Sequence, residues 1–238
     1  MSSLSWRMKP LHRHLGFMIA VISLACGTRE AERRSGATKE PPSTSLAKSA
    51  TKDALLELAD SARIQGRAEA PLWIVEISDF QCPFCAEWHE NTYGQLKREF
   101  IDSGKARFAY VNLPLPSHAN AWPAASAAMC AGLQGKFWQM HDALFSRQLS
   151  WASEPTPGPL FEKLASKAGI DASAMSSCIA SKQMLPLIQA DYDRAVQGGV
   201  NSTPTFLVGG VILSGAHPIE NFRRVIDSLT TAAASRAP

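Results

Sequence analysis

Apolar and polar positions divide the chain into a leading apolar run, a polar stretch and a long region of mixed periodicity. Residues 15–25 are apolar, and at about 1.5 Å rise per residue they reach only roughly half-way across the hydrocarbon core of a bilayer. A spanning helix is not expected there. Residues 26–50 are polar, contain Pro41-Pro42 and carry few large apolar side chains, which predicts a flexible tether. From Thr51 onward Leu55, Leu58, Ala59 and Ala62 fall on one helical stripe that Gly66 ends. The run LWIVEI at 72–77 is almost continuously apolar and predicts a strand covered on both faces. Pro83 then opens a helical pattern to about Ser103, with Phe84, Trp88 and Leu96 among its apolar positions and Gly104 beyond its end. A second strand follows at 106–113, ARFAYVNL. Strand, helix, strand predicts a βαβ unit with parallel strands and a right-handed crossover. Between 117 and 198 the strand pattern disappears, and helical segments succeed one another near 121–133, 137–148, 160–168, 172–181 and 186–197. Two β runs at 205–208 and 211–214 are joined by Gly209-Gly210, a hairpin signal, and 218–231 closes the chain as a helix. The fold class is α/β, in the order β-α-β, helical block, β-β-α, without an internal repeat.

Charge alters this picture at one end. Lys and Arg total 24 against 21 Asp and Glu, and the excess is Arg7, Lys9 and Arg13 in the first 25 residues, which hold no acid. A basic stretch followed by an apolar run is a signal-peptide layout and predicts export to the periplasm or cell envelope. Ser23-Leu24-Ala25-Cys26 offers small residues for ordinary cleavage and also resembles a lipoprotein box, with Ser23 where an aliphatic residue is usual. Acylation of Cys26 and simple secretion both stand; a lipid would anchor the protein to a membrane without a span. The remainder of the chain is neutral, so it lacks the net basic face that nucleic-acid binding requires.

Five cysteines in an exported chain divide as Cys26 plus four. Two disulfides, 82 to 85 and 130 to 178, are the economical assignment in an oxidising compartment. Cys82-Pro83-Phe84-Cys85 sits where a strand hands over to a helix, and the helix N-terminus stabilises an anion there. Such cysteines ionise far more readily than the ordinary thiol near pKa 8.5, which makes Cys82 the candidate nucleophile. Other readings of CxxC compete. Haem attachment falls because Ala86, not His, follows Cys85. Structural zinc lacks a second compact ligand pair, and His89, His118, His141 and His217 show no mutual spacing that argues for metal. An inert disulfide remains open. No metal or cofactor is expected.

The segment Ala70-Pro71-Leu72-Trp73-Ile74-Val75-Glu76-Ile77-Ser78-Asp79-Phe80-Gln81-Cys82-Pro83-Phe84-Cys85 resembles the opening of DsbA-like thioredoxin-fold proteins. The similarity continues in Gly135-Lys136-Phe137-Trp138 with His141-Asp142 and Leu144-Phe145, and in Val200-Asn201-Ser202-Thr203-Pro204-Thr205-Phe206. It covers about residues 66–230. The resemblance implies a thioredoxin-like fold with an all-helical insertion between the βαβ half and the ββα half. Pattern and resemblance together divide the chain into leader 1–25, tether 26–50, helix and lead-in 51–70, βαβ half 71–116, helical insertion 117–198 and ββα half 199–238.

By the same resemblance Thr203-Pro204 stands at a cis-proline position facing CxxC, where the Thr203 backbone would pair with an extended client peptide. Glu76 matches a buried acid beneath the second cysteine that could relay the Cys85 proton, with solvation at a strand end as the alternative. Asp79 reads as a solvated loop residue. Cys130 and Cys178 look like a structural disulfide, closing a loop worth roughly 3 to 5 kcal/mol. Trp122, Phe137 and Trp138 read as helix packing. The implied activity is thiol–disulfide exchange with exported client proteins through a mixed disulfide at Cys82, with a membrane or small-thiol partner resetting the pair. Oxidase is the favoured direction and a monomer the favoured state. Phe84 and Thr203 lean towards reductases and isomerases, which leaves that alternative open, beside a tethered binding module with a structural CxxC. In an oligomeric isomerase, residues 51–64 could supply a helix.

Overall fold

The computed structural model describes residues 43–235. The predicted leader, Cys26 and most of the predicted tether lie outside the described residues. Helix α1, Ser43–Ala62, begins eight residues before the expected start at Thr51, taking the end of the predicted tether into the helix. Its Ala59 is fully buried, with Leu56 and Ala62 packed against the helical block, whereas Leu58 of the predicted stripe is 47% exposed, so the docked face is rotated from the one the sequence suggested.

Five strands form one sheet: β1 Ile64–Gln65, β2 Leu72–Ser78, β3 Ala106–Asn112, β4 Thr205–Val208 and β5 Val211–Ser214, in the order β1-β3-β2-β4-β5. β2 and β3 are parallel and the remaining pairs antiparallel. Their connection is a helical rod over 83–101, α2, which is α-helical at Pro83–Trp88 and Gly94–Leu96 and π-helical at His89–Tyr93 and Lys97–Ile101. β2 departs from the predicted double coverage. Ile74, Glu76 and Ser78 are buried, whereas Trp73 is 38% exposed and stacks under the Arg107 guanidinium. One face of the sheet carries the core, and β-branched residues serve the half-covered face equally well, which is why the run looked uniform. The two-residue β1 was missed because two residues show no periodicity. Between β4 and β5, Gly209 and Gly210 have φ of +53° and +97°, the positive pair that a type I′ hairpin needs.

The insertion comprises α3 Ala121–Gly132, α4 Phe137–Ser146, α5 Gln148–Trp151, α6 Gly158–Lys167, α7 Ala172–Ala180 and α8 Leu185–Gln197; α9 Ile219–Ala234 closes the fold. Alanine dominates α3, so neighbouring helices approach it closely around a core that includes Met129, Phe137, Leu144, Trp151 and Phe161. Cys130 on α3 is bonded to Cys178 on α7, with Cα atoms 5.8 Å apart. A second cluster lies under the sheet, where Trp88 of α2 packs on Phe108, Phe206 and Phe222. Phe137 is buried and Trp138 packs against both clusters.

Candidate active site

Cys82 is the N-cap of α2 and Pro83 its first residue, a place where proline forfeits no hydrogen bond. The Cys85 and Ala86 amides donate to the Cys82 carbonyl at 3.1 and 3.2 Å, which turns the chain so that both sulfurs face each other. Both cysteines are free thiols, the reduced state of the pair. The peptide Thr203–Pro204 is cis, and the Cys82 thiol donates to the Thr203 carbonyl at 3.4 Å.

The two thiols differ sharply in acidity. The Cys85 thiol donates to Cys82 and holds it down to about 6; burial opposes this, while the Thr203 hydroxyl and the Cys85 and Phe84 amides assist. The Thr203 hydroxyl makes no full hydrogen bond to any described residue and is free to donate to a thiolate at Cys82. Burial pushes Cys85 well above the usual thiol range, and its bond to Cys82 and the charges of Cys82 and Glu76 add to that. Glu76 is 1% exposed. Burial raises its carboxyl to about 8, the Ser78 hydroxyl offsetting only part of the rise, so the strand-end solvation alternative does not hold.

Asp79 is the clearest correction. It is 2% exposed rather than solvated. Its carboxylate accepts from the Gln81 amide at 2.7 Å and the Leu115 amide at 2.8 Å, and pairs with His118 Nδ1 at 2.7 Å. Its carbonyl accepts the Cys82 amide at 3.0 Å. Burial raises its pKa against the pull of those three bonds, making it a weaker acid. Asp79 therefore clamps the CxxC loop to the loop leaving β3.

Side chains from the insertion complete the scaffold, and sequence reading gave none of them a role. Gln148 Nε2 donates to the carbonyls of Phe80 at 2.7 Å and Cys82 at 2.9 Å. Gln81 donates to Ala152 O at 2.7 Å and accepts from the Asn120 amide at 2.6 Å. Gln81 lies inside the quoted SDFQCPFC motif, a signal that could have been used. Asn120 and Gln148 stand alone in sequence and gave none. Beside the thiols, Phe84, Glu87, Ser202, Thr203, Ser214, Gly215 and Ala216 line an open pocket of about 470 Å³. Phe84 is 59% exposed there.

The fold also assembles histidines that sequence spacing kept apart. Ligand atoms of His89, His141 and Asp142 lie within 4.8 Å of one another. Asp142 Oδ1 is 2.8 Å from His141 Nδ1 and 3.1 Å from His89 Nε2, so one carboxylate oxygen already serves both rings. Burial lowers His141 to about 4, and the neutral ring is enclosed by Phe80, Tyr110, Trp138 and Phe145. As it stands, the arrangement is a hydrogen-bonded triad at the junction of α2 and α4.

A strand-to-helix CxxC facing a cis-proline loop, with an acid buried behind it, defines a class of thiol–disulfide exchange proteins. The chain belongs to the thioredoxin family, the family model described as Thioredoxin matching residues 59–228. A probable disulfide bond formation protein D of Bacillus anthracis is 28% identical over 168 residues, covering 68% of this chain and 75% of that protein. A Na(+)/H(+) antiporter NhaA 3 of Salinispora tropica is 32% identical over 178 residues, 74% of this chain. The chain spans about a quarter of that antiporter's length, the matched part being 26% of it. No described helix is long and apolar enough to cross a membrane. Among solved structures, alpha-DsbA1 of Wolbachia pipientis superposes with a TM-score of 0.66 at 24% identity, covering 73% of this chain and 93% of that one. BdbD of Bacillus subtilis superposes with a TM-score of 0.64 at 22% identity, covering 70% and 91%. These likenesses place the helical insertion within a thioredoxin-like fold.

Proposed function

We propose that the protein is an exported disulfide donor, which oxidises client thiols by passing on its Cys82–Cys85 disulfide. The observation that carries this reading is the opposed acidity of the two sulfurs, Cys82 held down to about 6 and Cys85 pushed well up. A stabilised Cys82 thiolate favours the dithiol over the disulfide, and a disulfide that gains by being opened is an oxidant.

A client thiolate attacks Cys82 in the oxidised pair, so a client–Cys82 disulfide forms as the Cys82–Cys85 bond breaks. Cys85 is the more basic sulfur and leaves with a proton from the Glu76 carboxyl. A second client thiolate attacks the client sulfur of the mixed disulfide and releases Cys82 as its thiolate, the good leaving group. The client is oxidised by two electrons and the pair reduced by two. An outside disulfide, from a membrane partner or a small thiol, restores the pair. An extended client peptide would lie along Thr203, with the open pocket beside Phe84 taking a flanking side chain.

Export is supported by the basic then apolar order of residues 1–25, and lipid anchoring by Cys26 behind Ser23-Leu24-Ala25. The mass of the native protein distinguishes an acylated Cys26 from simple cleavage. The decisive experiment is the redox equilibrium of Cys82–Cys85 with glutathione, the Cys130–Cys178 bond kept intact. A potential near about −120 mV is expected, whereas one at or below roughly −250 mV would show a reductant and overturn the donor assignment.

A further inference from the structure

Four polar side chains lie beneath the CxxC helix in a place where packing alone would select apolar ones. In the parallel register of β2 and β3, Glu76 stands beside Tyr110 and Ser78 beside Asn112. Two adjacent rungs thus carry polar residues on the buried face of the sheet. None of the four is more than 1% exposed. Both Glu76 oxygens, Ser78 Oγ, Tyr110 Oη and Asn112 Oδ1 make no hydrogen bond of full geometry among the described residues, although the Ser78 hydroxyl lies near enough to Glu76 and Tyr110 to act on both. Buried polar atoms left unpaired are destabilising, and a group of them in one place is the usual setting of an ordered internal water.

The chemistry of the set is directional. Its acid stands under Cys85, whose sulfur feels the Glu76 charge. The two hydroxyls can each donate and accept, and the amide oxygen can hold a water. At the far end Asn112 Nδ2 donates to Asp191 at 2.9 Å, and Asp191 accepts from Arg194 at 2.8 Å. The Arg194 side chain is 58% exposed, so the polar line runs from beneath Cys85 to solvent on α8.

We propose that Ser78, Tyr110 and Asn112, with ordered water, form a buried proton relay that restores the proton Glu76 gives to the departing Cys85 sulfur. The proposal rests on the exchange chemistry above. When the Cys82–Cys85 bond opens, Glu76 is left as a carboxylate and Cys85 as a thiol. The carboxylate takes a proton passed along the two hydroxyls from water. When Cys85 attacks an outside mixed disulfide, its proton returns to Glu76 and leaves the same way. A separate route is needed because Cys85 is fully buried and a bound client covers the Cys82 side. Ser78 and Tyr110 are positioning residues here, acting through Glu76. The ionisable groups around Glu76 are Cys85 and Tyr93 on α2 and Tyr110 on β3; Asp79 and His141 adjoin Tyr110, while Asp191, Arg63 and Arg194 stand at the Asn112 end.

The test uses the whole protein with Cys82–Cys85 oxidised and glutathione as the attacking thiol. Opening of the disulfide is followed in single turnover across pH, in H₂O and in D₂O. The variants are Ser78→Ala, Tyr110→Phe and, as the conservative control, Ser78→Thr. Above about pH 8, where Glu76 is a carboxylate and must take a proton through the relay before it can give one to Cys85, Ser78→Ala and Tyr110→Phe are expected to slow opening by roughly three- to thirtyfold with a larger solvent isotope effect, while opening well below pH 8 stays near the wild-type rate. The thiolate absorbance midpoint of Cys82 should stay in place, Ser78→Thr should restore the rate, and the infrared carboxyl band of Glu76, identified by its loss in Glu76→Gln, should shift in both slow variants. Wild-type rates and isotope effects in both would overturn the relay alone, as would slowing matched by a moved Cys82 midpoint. A wild-type disulfide that glutathione does not open would overturn the exchange reading and the relay with it.

Discussion

At the scale of single residues, the site works by making two identical thiols unequal. Cys82 has the amides of the first turn, the Cys85 thiol and the Thr203 hydroxyl to satisfy a negative sulfur, whereas Cys85 has burial and a nearby acid. Thr203→Val removes one donor while keeping the branched shape, and the Cys82 absorbance midpoint should rise from about 6 by roughly half a unit to one unit. Glu76 gives a second test, with a definite sign. Its carboxyl titrates at about 8 when folded against 4.5 unfolded, so the unfolded chain sheds this proton first. Stability is therefore lost as pH rises from about 4.5 towards 8, up to a bound of roughly 5 kcal/mol. Glu76→Gln should raise the urea midpoint at pH 8 and leave it nearly unchanged at pH 4, and an equal effect at both would show that ionisation is not the cause.

Secondary-structure elements were the most legible level of this chain. Five of the six insertion helices lie within about two residues of where periodicity put them, as at Phe137–Ser146 and Leu185–Gln197, whereas the four-residue α5, Gln148–Trp151, is too short to show a period and was not expected as a helix of its own. The site was legible to the extent that it is local: CxxC, its helix start and the residue before the proline are contiguous motifs. What escaped was assembled across the fold. Asp79 looked solvated because its three donors come from Gln81, Leu115 and His118, and the last two are more than thirty positions away. Gln148 is a similar case, since its role depends on α5 lying against the loop before α2. Gln148→Ala takes the side-chain donor from the Phe80 carbonyl at a buried junction and leaves the Cys82 carbonyl with only the Cys85 and Ala86 amides. It should cost roughly 1–3 kcal/mol in urea denaturation and broaden the reactivity of Cys82 towards alkylating reagents.

Across the whole molecule, stability and chemistry are held by different cross-links. The Cys130–Cys178 bond joins α3 to α7, 48 positions apart, within the helical insertion. Replacing both cysteines by alanine should lower stability by about 4 kcal/mol on the chain-entropy account, roughly 10 °C in Tm, with the potential of Cys82–Cys85 unchanged. A shifted potential would instead make the second disulfide part of the redox machinery. The groups that tune Cys82, by contrast, come from two parts of the chain: the Cys85 thiol and the Cys85 and Phe84 amides beside it, and Thr203 from the far end of the fold. During synthesis the ribosome releases CPFC more than a hundred residues before the Thr203–Pro204 peptide that faces it. A nascent chain thus displays its thiols without the Thr203 peptide, and Cys82 gains the last of the groups that acidify it only when the final strand pair has docked. The order of residues along the polypeptide acts as a safety catch on its own chemistry.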